Sequence, residues 1–238
     1  MKLAIIGYGK MGHIIEQTAL ERNHSVVCII DKDNRQDFSS EAFLSADVAI
    51  EFSTPQTAEE NIRAAWRANI PVVCGTTGWN VANLKREINE EEDCCQSEQR
   101  TNEKKGLLWS SNFSIGVNIF FAVNKRLASI MSNYSQYQPD ITEVHHVHKL
   151  DAPSGTAKTL AEQIAYAIGS NPDAVPIRSV REGEVPGIHA VVWNSPEDEI
   201  TIRHSAHSRK GFAIGAVMAA EWMVGRNGYH EFNEVLGL

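Results

Sequence analysis

The sequence predicts an α/β protein, a doubly wound parallel sheet followed by a second α+β unit. Three observations predict it. A strand–glycine turn–helix–strand run fills the first thirty residues. Strand and helix patterns then keep alternating as far as Trp109. Beyond that point the pattern changes to β-branched runs with one helix between them.

Taken in order, Lys2 to Ile6 is a short apolar run ending in glycine and reads as a buried strand. Met11 to Arg22 has helical composition, with Ile14, Ile15, Thr18 and Ala19 spaced to face a sheet. Ser25 to Ile30 is a second β-branched run, closing one βαβ unit. Val48 to Phe52, Pro55 to Ala68 and Pro71 to Cys74 continue the alternation as strand, helix and strand. Lys85 to Lys105 is rich in Glu, Gln and Lys and reads as a solvated helix and loop. Leu107 to Trp109 reads as a further strand. In the second unit Ile141 to Leu150, Ala190 to Trp193 and Glu199 to Ala206 read as strands. Ala157 to Ile168 is a helix, and a last helix, Ile214 to Val224, is expected to return to the first unit.

Bulk composition narrows the function. With 42% hydrophobic and 22% charged residues, the chain has the make-up of an ordinary soluble globular protein. Its formal net charge of -8 argues against nucleic acid as the main partner, because phosphate binding needs a basic surface. No stretch approaches the roughly 20 apolar residues of a membrane span. Cys28, Cys74, Cys94 and Cys95 have no zinc or disulfide spacing, so reduced thiols in the cytoplasm are expected.

The first chemistry lies in Gly7-Tyr8-Gly9-Lys10-Met11-Gly12. Gly7 permits a tight turn, Gly9 removes a side chain where backbone must approach a pyrophosphate, and Gly12 lets helix and strand sit close. The free N–H groups of the helix then face the phosphates. Asp31, at the end of the second strand, can accept ribose hydroxyls, whereas Lys32 can pair with a 2′-phosphate; NADH and NADPH both remain open. A glycine turn alone is a weak signal, but strand, helix and acid in register make this a Rossmann-like dinucleotide site. Gly75-Thr76-Thr77-Gly78 would add a second loop at the carboxyl edge of the sheet.

The densest chemistry runs from Glu143 to Thr156. If residues 141–149 are extended, the period of two puts Glu143, His145, Val147 and Lys149 on one face. Histidine can carry a proton near neutral pH and lysine supplies a fixed charge, so an acid/base site is expected there. Three histidines in four residues also raise a metal, but His146 and His148 would face away from His145, and no metal is expected. Ser154-Gly155-Thr156 precedes a helix, where Ser and Thr are natural N-caps and Gly155 would leave room for a ligand carboxylate.

At this segment the chain resembles the 4-hydroxy-tetrahydrodipicolinate reductase (dihydrodipicolinate reductase) family. His145-His146-x-His148-Lys149-x-Asp151-Ala152-Pro153-Ser154-Gly155-Thr156 looks like its signature. The glycine turn, Gly75 to Gly78, Ser111 to Asn118, Arg181-Glu182-Gly183, Gly187-Ile188-His189 and Ser208 to Ala216 fall in the family's order. The resemblance implies a dinucleotide-binding domain of residues 1–111 and 212–238, and a substrate-binding and tetramerisation domain of residues 112–211. It implies NADH or NADPH, a small dicarboxylate substrate and a homotetramer; from charge and hydropathy, no nucleic-acid or membrane partner is expected. His145 would be the proton donor and Lys149 its partner. His146, Lys149, Ser154, Gly155 and Thr156 would hold the substrate carboxylates. The glycine turn, Asp31, Lys32, Phe52, Gly75, Thr76, Thr77, Ser111, Asn112 and Phe113 would contact the cofactor. For His145 and His146 both to reach the ligand, the strand must end or bulge there. Two rivals stay open: a semialdehyde dehydrogenase using Cys74, and a non-catalytic dinucleotide sensor.

Overall fold

The computed structural model describes residues 1–93 and 105–238. Its elements in chain order are β1 (Lys2–Ile6), α1 (Lys10–Glu21), β2 (Ser25–Ile30), α2 (Glu41–Leu44), β3 (Val48–Glu51), α3 (Ala58–Arg67), β4 (Val72–Cys74), α4 (Ala82–Asp93), β5 (Gly106–Trp109), α5 (Ile115–Met131), β6 (Gln138–His145), α6 (Gly155–Ile168), β7 (Ile177–Arg181), β8 (Ile188–Asn194), β9 (Glu199–Ser205), α7 (Lys210–Met223), β10 (Gly228–Glu231) and α8 (Phe232–Leu236). They divide into two compact units, Met1–Ile115 with Lys210–Leu238, and Gly116–Arg209.

The first unit holds a six-stranded parallel sheet in the order β10-β5-β4-β3-β1-β2. Leu3, Ala4, Ile5 and Ile6 of β1 are all buried, as expected for a strand covered on both faces. Leu3, Ile5, Val48 and Ile50 join Ala213, Ala216 and Ala220 of α7 in one core, while Ala4, Ile6 and Ala49 join Ile62 and Trp66 of α3 in another. Alternate residues thus feed opposite faces, which is the doubly wound arrangement. The chain turns back between β1 and its two neighbours β2 and β3, so a cleft opens at the carboxyl end of β1.

In the second unit β6 pairs in parallel with β7 and antiparallel with β8, and β9 completes a sheet in the order β7-β6-β8-β9. Ile141, Val191 and Trp193 pack under Leu160, Ala161 and Ile164 of α6 and Phe120 and Ala128 of α5.

Several expectations need correction. The strand expected over Ile141 to Leu150 ends at His145, so Val147 and Lys149 do not share its face. The backbone turns there: Lys149 N–H donates to the His146 carbonyl at 3.1 Å and Val147 N–H to that of Gly183 at 3.1 Å. Helix α6 begins at Gly155, so Gly155 and Thr156 are its first residues and Ser154 alone is the cap. The polar segment after Lys85 belongs to a helix that starts at Ala82 and buries Leu84 and Ile88. Residues 94–104, with Cys94 and Cys95, lie outside the described residues. Helices α2, α5 and α8 and strands β7 and β10 had no counterpart in the sequence reading. The last helix does return to the first unit, as expected.

Candidate active site

At the carboxyl end of β1 the three glycines do separate steric jobs. Gly7 sits at φ +89, and a Cβ on it would lie 2.4 Å from the Phe52 carbonyl oxygen. A Cβ on Gly12 would lie 2.5 Å from the Gly7 oxygen, so α1 can start this close to β1 only with hydrogen in that place. Gly9 is different: nothing lies within 4 Å of where its Cβ would be. Gly9 is also the N-cap of α1 and contributes no side-chain cap. The N-terminal turn of α1 therefore carries amide groups that no capping side chain satisfies, beside open space.

That space belongs to a cleft of about 440 Å³ lined by Gly7, Tyr8, Gly9, Asp31, Lys32 and Phe52 among others. These residues fit a dinucleotide: backbone donors for an anion, and an acid and a base at the far strand end for the ribose. Arg35, which the sequence reading did not single out, lines the same cleft and is held by Glu60 at 2.9 Å and Asn61 Oδ1 at 2.8 Å. Lys10 and Met11 follow in the first turn of α1.

The remaining cofactor candidates sit on the neighbouring strand ends. A Cβ on Gly75 would run into the Phe52 ring at 2.1 Å. Phe52 packs on Phe113 at 5.8 Å, and Phe113 on Phe232 at 5.0 Å. Phe113 is buried, and its carbonyl would lie 1.8 Å from a Cβ on Gly215, so α7 presses directly on this backbone. Thr77 and Ser111 are exposed, and Asn112 is half-buried. Thr76 is buried and its hydroxyl donates to Glu51 at 2.6 Å. Glu51, which sequence reading took only as part of a strand, is fully buried. It also accepts from the Ser53 hydroxyl, the Ser53 N–H (3.1 Å), the Asn61 amide (3.3 Å) and the Cys74 thiol (3.2 Å). One carboxylate thereby ties together the ends of β3 and β4.

The second unit brings its chemistry together where β6 ends. His145 is buried, His146 half-buried, and His148 lies at the surface with Glu184 at 2.9 Å. Burial pushes the His145 imidazole below its ordinary pKa; Glu143 works against that shift, and Lys149 and Arg181 add to it. Lys149 is paired with Asp151 at 2.8 Å. Ser154 is buried; its hydroxyl accepts the Ala157 N–H at 3.2 Å as the cap of α6 and lies 3.2 Å from His189 Nε2. Gly155 has open space where a side chain would be, and Thr156 is half-buried.

Sequence reading missed three members of this site. Glu143, fully buried, lies 3.3 Å from His145 Nδ1, 3.7 Å from His189 Nε2 and 3.2 Å from Arg181 Nη2. Burial raises its pKa, but Ser154, Ser179 and Arg181 outweigh that and hold the carboxyl below its ordinary value. His189 is driven down to about 4, chiefly by burial and then by His145. Arg181 and His189 stood in motifs the sequence displayed, but only the pairing of β6 with β7 and β8 puts them beside His145.

A dinucleotide cleft at a sheet switch point, together with a histidine–lysine site, defines a nicotinamide-dependent oxidoreductase of the Rossmann class. The family follows from the sequence comparisons. Residues 1–113 match the family model described as dihydrodipicolinate reductase, N-terminus, and residues 116–236 that for dihydrodipicolinate reductase, C-terminus. The chain belongs to the dihydrodipicolinate reductase family. It is 41% identical to the 4-hydroxy-tetrahydrodipicolinate reductase of Christiangramia forsetii, with 99% of this chain and 98% of the relative covered. With the enzyme of that name from Lawsonia intracellularis it shares 31% identity, over 94% of each chain. The fold matches a dipicolinate-bound dihydrodipicolinate reductase from Paenisporosarcina sp. TG-14 with a TM-score of 0.75 at 24% identity, covering 98% of each.

The protein is thus an oxidoreductase of diaminopimelate and lysine biosynthesis. It reduces the dihydrodipicolinate-type intermediate formed from 4-hydroxy-tetrahydrodipicolinate to tetrahydrodipicolinate with a nicotinamide cofactor. The semialdehyde-dehydrogenase alternative loses its nucleophile. Cys74 is fully buried, and burial followed by the Glu51 charge raises its thiol pKa well above the ordinary value. No helix among the described residues is long and apolar enough to cross a membrane.

Proposed function

We propose that the second unit binds the dicarboxylate and that His145 gives it the proton that completes reduction. Lys149 and the N-terminus of α6 at Gly155 and Thr156 hold the carboxylates, with His146 and Ser154 beside them. The observation that carries this reading is the end of β6 at His145, which puts a buried imidazole, an ammonium and a helix N-terminus on one short segment. The resting imidazole is pushed towards neutrality by burial and by two cations. An arriving dianion offsets the two cations, so the charge of the substrate favours the protonated ring. Lys149 and the amides of α6 stabilise the charge that develops on the ring and its carboxylates.

The first unit binds the dinucleotide, which supplies the hydride. The glycine turn and α1 take the pyrophosphate, and the backbone of Ser111 to Phe113, with Gly75, Thr76 and Thr77, borders the nicotinamide end. Asp31 suits the ribose hydroxyls of NADH, while Lys32, with Arg35 on the same cleft, suits the 2′-phosphate of NADPH; the cleft takes either. The protein works in the cytoplasm as a homotetramer built on the second unit's sheet, where β9 is an edge strand carrying an exposed Ile200.

Loss of reduced-nicotinamide absorbance with freshly made intermediate tests the reading. His145→Ala should lower kcat on the order of 10²–10⁴-fold with little change in KM. Lys149→Ala should harm both. Near wild-type turnover in His145→Ala would remove the assignment.

A further inference from the structure

Glu143 is fully buried, and the fixed points of the segment from His145 to Ser154 run through its carboxylate. The Ser154 N–H donates to both oxygens, at 3.1 and 3.2 Å. Arg181 Nη2 donates to Oε1 at 3.2 Å and to the Asp151 carbonyl at 2.6 Å, and Arg181 Nε donates to the Lys149 carbonyl at 3.2 Å. Oε2 faces His145 Nδ1 at 3.3 Å. The carboxylate is therefore bound to the segment's end directly and to its middle through one guanidinium, and it faces the ring at its start.

We infer that Glu143 and Arg181 are a positioning pair, Glu143 aiming the His145 ring and Arg181 pinning the loop that presents Lys149. This inference rests on His145 being the proton donor. The approach of Glu143 to Nδ1 is off the line of a hydrogen bond, and Nδ1 is buried with no other partner. It is a charge contact that tightens when the ring gains its proton. With Nδ1 turned to Glu143, Nε2 is the nitrogen left for the ligand. Gly187 keeps it accessible, because a Cβ there would lie 3.2 Å from Nε2. Glu143, His145 and His189 together offer a donor set that could hold a metal, their ligand atoms within 4.8 Å of one another. Arg181 already neutralises that carboxylate, and an added dication would meet the guanidinium.

The charged and titratable groups around His145 are Glu143 on its own strand, Arg181 on β7, His189 on β8, and Lys149 and Asp151 in the following loop. Glu143 favours the protonated ring, so its removal must displace the ring's titration to lower pH. The test is kinetics against pH on the full-length protein, with an NMR titration of the His145 ring in the absence of substrate. Glu143→Gln should lower kcat on the order of ten- to hundredfold with KM nearly kept. It should also move the basic limb of kcat/KM, and the NMR titration, downward. Arg181→Gln should act mainly on KM for the dicarboxylate. The double variant removes both charges; it should recover thermal stability lost by either single change while keeping only part of the displaced titration, because the downward pull of Arg181 on the ring goes with it.

An unmoved titration in Glu143→Gln, or recovery of kcat together with stability in the double variant, would overturn the pair. So would loss of wild-type turnover on chelation, which would put a metal in its place. Failure of the proton-donor reading looks different: His145→Ala would keep near wild-type turnover, while the NMR titration would still judge the contact.

Discussion

Two fully buried carboxylates, Glu51 in the first unit and Glu143 in the second, are kept in the interior by opposite means. Glu51 is met by neutral donors: the Ser53 and Thr76 hydroxyls, the Ser53 N–H, the Asn61 amide and the Cys74 thiol. Glu143 is met by a guanidinium, a backbone N–H and two imidazoles within ion-pair distance. A neutral shell fixes shape and gives the carboxylate nothing to exchange a proton with. An ionic shell makes geometry depend on the charge of its members. The difference matches the parts proposed for the two regions. The strand ends around Glu51 border the cleft, whereas the site around Glu143 contains the imidazole proposed as the proton donor.

The sharpest way to break this contrast is to neutralise each carboxylate in turn. Glu143→Gln leaves Arg181 without its counter-charge and should cost about 3–5 kcal/mol in urea unfolding. The next largest effect is acid sensitivity of the second unit. His189 is neutral in the folded state down to about pH 4 but takes a proton near its ordinary 6.5 when unfolded. Protons thus favour the unfolded chain in that window. Stability is full above 6.5 and should fall by about 3 kcal/mol as pH drops towards 4. Glu143, whose pKa is also depressed, adds to the loss below the ordinary carboxylate range. Unfolding measured across that window should flatten in His189→Asn, and a wild-type profile in that variant would discard the assignment.

Glu51→Gln should be milder. It keeps the oxygen that accepts from Ser53 and Asn61 and takes the other from two neutral donors, the Cys74 thiol and the Thr76 hydroxyl, at about 2 kcal/mol. A loss as large as that of Glu143→Gln would show that the two shells are not different in kind. The smallest effect is expected for Asp151→Asn. Its pair with Lys149 is substantially exposed, at 58% for Asp151, so stability should change by less than about 1 kcal/mol. Any measurable change should instead appear in KM, because a substrate carboxylate held as proposed by Lys149 would compete with Asp151 for the same ammonium.

How much of this was legible depends on the range of the interaction. The strand–turn–helix run, the cap at Ser154 and the pair His145 and Lys149 were read from neighbouring residues, and those readings concern groups a few positions apart. The alternating face was right for Glu143 and His145 and failed at Lys149, because β7 ends at Arg181 and the guanidinium draws the Lys149 and Asp151 carbonyls into the loop. Glu51 was hidden inside an apolar strand because, Ser53 apart, its partners come from β4, the loop after it and α3. Arg35 stands only three residues from Lys32, but Glu60 and Asn61 of α3, which hold it on the cleft, are distant in the chain.

The sequence by itself determined the glycine turn and the chemistry of the candidate site groups, because glycine's tolerance of crowded backbone and histidine's proton chemistry belong to the residues themselves. Tertiary structure alone decided what surrounds them. Arg181 lies 38 residues from Glu143, and the parallel register that sets His145 opposite Arg181, like the antiparallel one that sets Glu143 opposite His189, is fixed by how three strands bury one face against α5 and α6. Pairing partners of that separation follow from the packing of the whole sheet, and no local pattern carries them.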